Sequence, residues 1–296
     1  DDLPYPHWNE PFYESCDLLL NISRQTNNIV KNVLQKFPKE DWAVQYVPHG
    51  CNEKNYYPIS ALHPIAPEFD KWSNAFKVHH EVDFVIFWNN RNIRRKQPAD
   101  LILSYKTFCD KLPKEKAKKC ILVLKTQAID DNGTDLPAVI KALCPNYKVY
   151  IHDVNISNKE MNFFYNMADV TANIASNEGF GISWYESLQF PTNHDGTYRT
   201  HGEWAYPVYP SNRSIQGSPQ TPYIFDDRVD FKDVAEGMLY WYEMDKTERL
   251  AKGNAGYEWV KGDESNMSAR RMGIRFIDCM DKCFKEWTPR KRFTLF

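Results

Sequence analysis

No run in the 296-residue chain approaches the roughly 20 consecutive apolar residues that a membrane-spanning helix needs. No secretory signal pattern is visible. No charge of one sign dominates: 37 basic residues face 39 acidic ones. That balance argues against a strongly basic nucleic-acid binder and against an acidic tail. There is no Cys-x-x-Cys, and the seven cysteines (Cys16, Cys51, Cys109, Cys120, Cys144, Cys279 and Cys283) are odd in number. Free thiols in a reducing, cytoplasmic compartment are the simplest account, with peripheral attachment to a membrane left open. Asn-x-Ser/Thr sequons occur at Asn21, Asn132, Asn155, Asn212 and Asn266. Asn21 falls within an expected buried strand, so these do not read as secretory sugar sites. No internal repeat or low-complexity segment stands out.

What is present is a composition that is 42% hydrophobic and 15% aromatic. This supports a sizeable core, and the length favours two domains over one. The aromatics read first as large core residues and second as stacking surfaces for rings or bases. The chain opens at Asp1-Asp2-Leu3-Pro4 and soon enters a strand-like segment, which suggests a piece of a longer protein.

The order of segments points to an α/β fold. Asp17 to Ser23 is expected as a buried strand, followed by a helix on which Ile29, Val30, Val33, Leu34 and Phe37 recur at helical spacing. Trp42 to Val47 is expected as a second strand, closed by Pro48-His49-Gly50, and Pro58 to Pro67 as a linker. A second series begins with a strand at Val82 to Trp88, a basic turn at Asn89 to Lys96, and a helix carrying Leu101, Ile102, Tyr105, Phe108 and Leu112. Strands follow at Ile121 to Leu124, Lys148 to His152 and Val170 to Ala175, with helices between them. Ser157 and Glu160 form a capping box for the helix through Met167. Strands alternating with helices imply a parallel sheet, whose ligands bind beyond the carboxyl ends of the strands. Phe190 to Thr221 is expected as a long irregular loop, and the remainder as helical. The last helix, about Ser265 to Trp287, carries Met272, Phe276, Cys279, Met280 and Cys283 on one stripe, the two cysteines expected as buried small residues. The basic end Pro289 to Arg292 is expected as a solvated tail.

Two motifs carry chemistry. In Glu178-Gly179-Phe180-Gly181-Ile182-Ser183-Trp184-Tyr185-Glu186, two carboxylates have seven residues between them. The glycines allow close backbone approach, and the helix expected to start there offers unpaired N–H groups to a phosphate. An ordinary strand–helix turn explains the same glycines. The pattern lacks the third Gly of a dinucleotide fingerprint and the Gly-Lys-Ser/Thr of a P-loop. Carboxylates are good acceptors for sugar hydroxyls, which suits Glu178 to a hexose and Glu186 to a ribose, although Glu186 is also simply favourable at a helix N-terminus. The second motif is Arg91-Asn92-Ile93-Arg94-Arg95-Lys96, at the end of the Val82 strand. Arg91 can grip a diphosphate in a fork and Lys96 as a point charge, while a solvated charge run is the plain alternative.

Together these residues resemble the donor-binding half of a GT-B glycosyltransferase, in particular the large retaining family known as family 4. That family carries Glu-x7-Glu with a Gly-Phe-Gly turn, as in Glu178-Gly179-Phe180-Gly181 through Glu186, and a phosphate-binding Arg and Lys placed as Arg91 and Lys96 are. Val47-Pro48-His49-Gly50 resembles its hinge, and Tyr56-Tyr57-Pro58 the aromatic-x-Pro after it. The similarity covers about residues 14 to 188. The resemblance implies a Rossmann-like donor domain at 59–262, a partial N-terminal Rossmann-like acceptor domain and hinge at 1–58, and a C-terminal helix at 263–296 packing back on the N-terminal part. It implies retaining transfer from a nucleotide-diphosphate sugar without a bound metal or other cofactor, to an acceptor that the sequence does not identify. Arg91 and Lys96 would stabilise the leaving diphosphate. Glu178, Gly179, Phe180, Gly181, Ile182, Ser183 and Glu186 would bind the donor, with Asn155 and Ile156 placed near its base by position alone. Two departures stand out. Leu188 is followed by Gln189-Phe190-Pro191 instead of the family's Ala-x-Gly-x-Pro-Val, with Tyr206-Pro207-Val208 as a displaced counterpart, and the family's Gly-rich acceptor loop and catalytic-site His are not identifiable. A non-catalytic sugar-nucleotide or glycan-binding module is the main alternative, and a hydrolase metal site at His79-His80-Glu81 and Asp83 a weaker one.

Overall fold

In the computed structural model, the described residues are 7–176, 202–217, 224–262 and 267–289. Near the start, a short helix α1 (Glu10–Ser15) precedes strand β1 (Leu19–Asn21), helix α2 (Arg24–Val33) and strand β2 (Val44–Tyr46). The strands pair in parallel, Leu19 opposite Val44. Ser23 caps α2 through its Oγ, which accepts the Thr26 N–H at 3.0 Å. Val30 and Leu34 pack on Val44. Phe37 lies off that stripe, 51% exposed, because α2 gives way to a 3₁₀ turn at Leu34–Lys36 with a different angular step. The expected strand at Trp42 starts two residues later, since Asp41–Ala43 is a further 3₁₀ turn.

The stretch expected as a linker ends in helix α3 (Ala66–His80). Beyond it lie β3 (Phe84–Asn89), α4 (Pro98–Lys111), α5 (Lys114–Ala117), β4 (Cys120–Lys125), α6 (Leu136–Leu143), β5 (Lys148–His152), α7 (Asn158–Met167) and β6 (Val170–Thr171). The strands form one parallel sheet in the order β5-β4-β3-β6. Phe84 to Trp88 and Cys120 to Leu124 are all buried, the continuous apolar pattern of strands covered on both faces. Ile86, Trp88, Leu122 and Leu124 face a core shared with Leu101, Tyr105 and Phe108 of α4. The alternate residues Val85, Phe87, Ile121 and Val123 face Trp72 and Phe76 of α3 and Phe164 of α7. The Ser157–Glu160 capping box is present at the start of α7.

The segment expected to be irregular contains strand β7 (Pro210–Gln216), paired antiparallel with β8 (Ile224–Val229). Tyr206-Pro207-Val208 is not a strand. Instead the Tyr206 ring lies 5.2 Å from that of Tyr240 in helix α8 (Phe231–Glu243), over Gly237, where a Cβ would come within 2.8 Å of the ring. Helix α9 (Lys246–Lys261) is tied to the amino end of the sheet by Arg249, whose Nη2 meets Asp169 Oδ1 at 2.9 Å while Asp169 Oδ2 accepts the Val85 N–H.

Helix α10 (Ala269–Glu286) begins against the hinge. Cys51 N–H donates to Met267 O, and Ala269 N–H to Cys51 O, at 2.9 and 2.8 Å. A Cβ on Gly50 would stand 2.4 Å from Ser268 O, so this crossing requires glycine. Cys279 and Cys283 on α10 are half-buried, not buried as expected, because α10 buries no residue fully. The buried cysteines are Cys109, Cys120 and Cys144, and burial pushes the thiol of Cys144 up to about 11 and that of Cys120 up to about 12. All seven cysteines are free. Among the described residues, no helix is long and apolar enough to cross a membrane.

Candidate functional site

Strand order decides where a ligand can enter. From β3 the chain crosses to β4 and on to β5, then returns past β3 to place β6 on its other side. The direction of winding therefore reverses between β3 and β6, and the carboxyl ends of such a strand pair are where α/β sheets bind ligands. The β3–α4 loop, with Arg91 and Lys96, leaves one strand of that pair. The chain after β6, leading toward Glu178, leaves the other.

The β3–α4 loop is held from three directions. Asn92, fully buried, donates from Nδ2 to Thr134 O at 2.7 Å and lies 3.3 and 3.4 Å from Gln127 O and Ala128 O, while its Oδ1 accepts the Thr134 N–H at 3.3 Å. Arg94 N–H donates to Asn132 O at 3.0 Å. Gly133 packs so closely that a Cβ there would lie 2.1 Å from Asn92 O. These bonds join the loop to the β4–α6 connection. On the other side, Ser176 N–H donates to Arg95 O at 2.8 Å, linking it to the chain after β6. At its end, Gln97 donates from Nε2 to Asp227 O at 3.1 Å.

Lys96 closes a 3₁₀ turn (Arg94–Lys96) and is only 7% exposed. A buried ammonium is costly to leave without anionic or polar company. Gln97 follows in the left-handed region, at φ 52°, and leads into Pro98 at the start of α4. A non-glycine residue there stores roughly 1–3 kcal/mol of strain, and such outliers concentrate at functional sites. Arg91 Nε donates to Asp130 Oδ2 at 2.8 Å. The guanidinium beside Asp130 holds the carboxyl below the usual carboxylate range, and the Arg91 pKa is raised in turn.

Further along the edge, Asn89, Lys125 and His152 align in register across β3, β4 and β5. Asn89 Nδ2 donates to the Tyr165 hydroxyl at 2.9 Å. His152 Nδ1 shares a hydrogen bond with the Tyr150 hydroxyl at 3.1 Å, while Nε2 is buried without a partner. Burial, and then the charge of Lys125, lower the His152 pKa. Thr126 Oγ1 and Asn173 Nδ2, just past β4 and β6, are likewise buried and unpartnered. Asp153 Oδ2 accepts the Ala128 N–H at 3.1 Å, joining the β5 and β4 loops.

The structure thus brings Arg91 and Lys96 to one edge. Asn155 is exposed beyond β5, and Ile156 packs partly against the Phe164 core. Glu178, Gly179, Phe180, Gly181, Ile182, Ser183 and Glu186 lie outside the described residues, as do the helix expected through Leu188 and Arg290 to Arg292. His79 and His80 sit on the last turn of α3, with Glu81 capping it in the left-handed region at φ 53°. Among the described residues, no group of three or more His, Cys, Asp or Glu side chains is placed to hold a metal ion. Asn92, Asp130, Gly133 and Ser176 were not foreseen. Asp130-Asp131-Asn132-Gly133 is a turn signature in the loop that follows buried strand β4, which is the available signal.

No family model matches the chain. No curated protein matches it either. Solved structures do. The α,α-trehalose 6-phosphate synthase of Burkholderia multivorans matches with TM-score 0.63 and 8% identity, over 93% of this chain and 61% of that one. A glycosyltransferase from Rickettsia africae matches with TM-score 0.60 and 18% identity, over 97% and 69%. An E. coli trehalose-6-phosphate structure bound with UDP-2-fluoro glucose matches with TM-score 0.56 and 14% identity, over 93% and 62%. The chain spans about three fifths of the length of the synthase it matches. At these identities the likeness is one of fold: an α/β chain with parallel sheets that matches part of the GT-B glycosyltransferase architecture.

Proposed function

We propose that this chain belongs to a retaining, family 4-like glycosyltransferase that moves a sugar from a nucleotide-diphosphate sugar to an acceptor hydroxyl. The observation that carries the proposal is the switch point in strand order between β3 and β6. Nearly buried Lys96 stands on one side of it, and Ser176, two residues before Glu178, is bonded to Arg95 beside it. The Arg91–Lys96 motif and the chain that leads on to Glu178 thereby leave neighbouring strands, at the place where α/β sheets bind ligands.

In this account the diphosphate lies against Arg91 and Lys96. The bond from the sugar's anomeric carbon to the leaving phosphate oxygen breaks while the acceptor oxygen bonds to the same face. The acceptor's proton passes to the departing diphosphate. Negative charge grows on that diphosphate in the transition state, so fixed cations stabilise the transition state more than the ground state. Glu178 accepts hydroxyls of the sugar, Glu186 those of the ribose, and the backbone of Gly179 to Ser183 lies along the phosphates. Asn155 and Ile156 stand nearest the base. Residues 1–58 serve as the acceptor-side remnant and hinge, 59–262 as the donor domain and 263–296 as the returning helix. The bonds of Cys51 to Met267 and Ala269 support that division.

Thermal unfolding in the presence of UDP-, GDP- and ADP-sugars tests the proposal. A donor present at 100 times its Kd stabilises the native state by about 2.7 kcal/mol, which raises the melting temperature by several degrees. One nucleotide class should do so, and sugar transfer from it should continue in EDTA. No shift with any of them would remove the donor-site account, and loss of transfer in EDTA with rescue by Mn²⁺ would remove its metal-independent form.

A further inference from the structure

Arg91 and Asp130 are unequally placed. The arginine side chain is 61% exposed, the aspartate side chain 4%. Asp130 Oδ1 accepts the Asn132 N–H at 2.9 Å, and Gly133 N–H donates to Asp130 O at 2.9 Å, so a tight turn fixes the carboxylate. Asn92 and the close approach of Gly133 fix that turn to the β3–α4 loop. The rigid partner is therefore the acid. It holds the guanidinium by its Nε edge, at 2.8 Å, with Nη2 at 3.4 Å from Oδ1. A guanidinium has five N–H donors in one plane. The Nη1 end is left for another anion.

We infer that Asp130 is a positioning residue for diphosphate binding: it orders the Arg91 fork before the ligand arrives. This rests on the donor-site account above. Two effects of Asp130 oppose each other. Its charge repels an anion, but the anion would sit in water on the far side of an exposed arginine, where a unit pair about 7 Å apart repels by about 0.6 kcal/mol. Its hydrogen bonds remove the need to immobilise a long side chain on binding, a cost of about 0.5–1.5 kcal/mol, equivalent to a two- to twelvefold change in affinity. Pre-ordering wins, so the acid strengthens the anion site.

The test is calorimetric titration with inorganic pyrophosphate at 0.15 M salt, on the wild-type chain, Arg91→Ala, Asp130→Asn and the double variant. Asparagine is isosteric and keeps an acceptor for the Asn132 N–H, so the turn is retained. If that variant does not melt cooperatively, Asp130→Ser, which also keeps an acceptor, enters the same cycle. Asp130→Asn should weaken pyrophosphate binding by about two- to fivefold, and should have no such effect when Arg91 is already alanine. Equal weakening in both backgrounds would mean that Asp130 merely supports the loop, and overturns the inference. So does unchanged or tighter binding by Asp130→Asn while Arg91→Ala binds weakly. If the wild-type chain ignores pyrophosphate, or Arg91→Ala binds it as well as wild type, the diphosphate site itself is wrong and Asp130 loses its role with it.

Discussion

Replacing Asn92 by alanine should both destabilise the protein and loosen the β3–α4 loop, which the proposed function assigns to the diphosphate. Asn92 is fully buried at the junction of the β3–α4 and β4–α6 connections. Its amide has two N–H donors and one oxygen, so only two of the three nearby carbonyls are served well at one time. The strongest of its bonds are the 2.7 Å contact to Thr134 O and the 3.3 Å bond from Thr134 N–H. Truncation leaves both Thr134 groups without their partner. Each buried polar group left unsatisfied costs about 1–3 kcal/mol, so the loss should be about 2–6 kcal/mol. With a urea m-value of about 3 kcal/mol/M, the midpoint moves down by about 0.7–2 M. Asn92→Asp should cost at least as much, since it puts a carboxylate where the carbonyl oxygens now meet donors. Pyrophosphate affinity should fall in parallel, because Arg91 and Arg94 hang on the same junction. If both variants unfold within about 0.5 kcal/mol of wild type, the junction does not hold the loop and the reasoning fails.

Gly50→Ala should lower stability by about 1–3 kcal/mol, because its Cβ meets the Ser268 and Ala269 backbone at 2.4 to 2.6 Å; an unchanged melting temperature would contradict that close crossing. Acid should destabilise the fold through His152 and His80. Burial lowers both pKa values, so the unfolded chain takes up more protons and stability falls as pH drops below about 6.5. His152→Phe should flatten that dependence in melts between pH 7 and 5, and an unchanged slope would rule His152 out. For Glu178→Ala, sugar-nucleotide affinity should fall while free nucleoside diphosphate affinity is nearly kept; equal losses would remove its role with the sugar.

Where burial followed periodicity, the sequence was readable. β5 was expected at Lys148 to His152 and is found there, and the Ser157–Glu160 box starts α7 as its chemistry demands. The α/β class followed from such segments. Helix α3 is masked in the sequence by the Pro-rich run that ends at Pro67, although proline in a first helical turn is a start signal. Phe69, Trp72 and Phe76 then repeat at helical spacing. Strand β7 carries no alternating pattern, since Pro210 to Gln216 is mostly exposed and its pairing rests on backbone bonds, to which side-chain periodicity is blind. At the site, Arg91 and Lys96 were legible as charges at a strand end. The support from Asn92, Asp130 and Gly133 was not, because it depends on which two loops the sheet order brings together.

The central claim is that Lys96, nearly buried just past β3 at the β3–β6 switch point, binds the diphosphate of a nucleotide sugar. The most direct measurement is calorimetric titration of the stabilising nucleotide sugar into wild-type chain and into Lys96→Met, which keeps the length and removes the charge. A hydrogen bond to a charged group contributes about 1.5–3 kcal/mol, so affinity should drop by about ten- to a hundredfold in a variant that still melts cooperatively. Equal affinity for the two proteins would contradict the account.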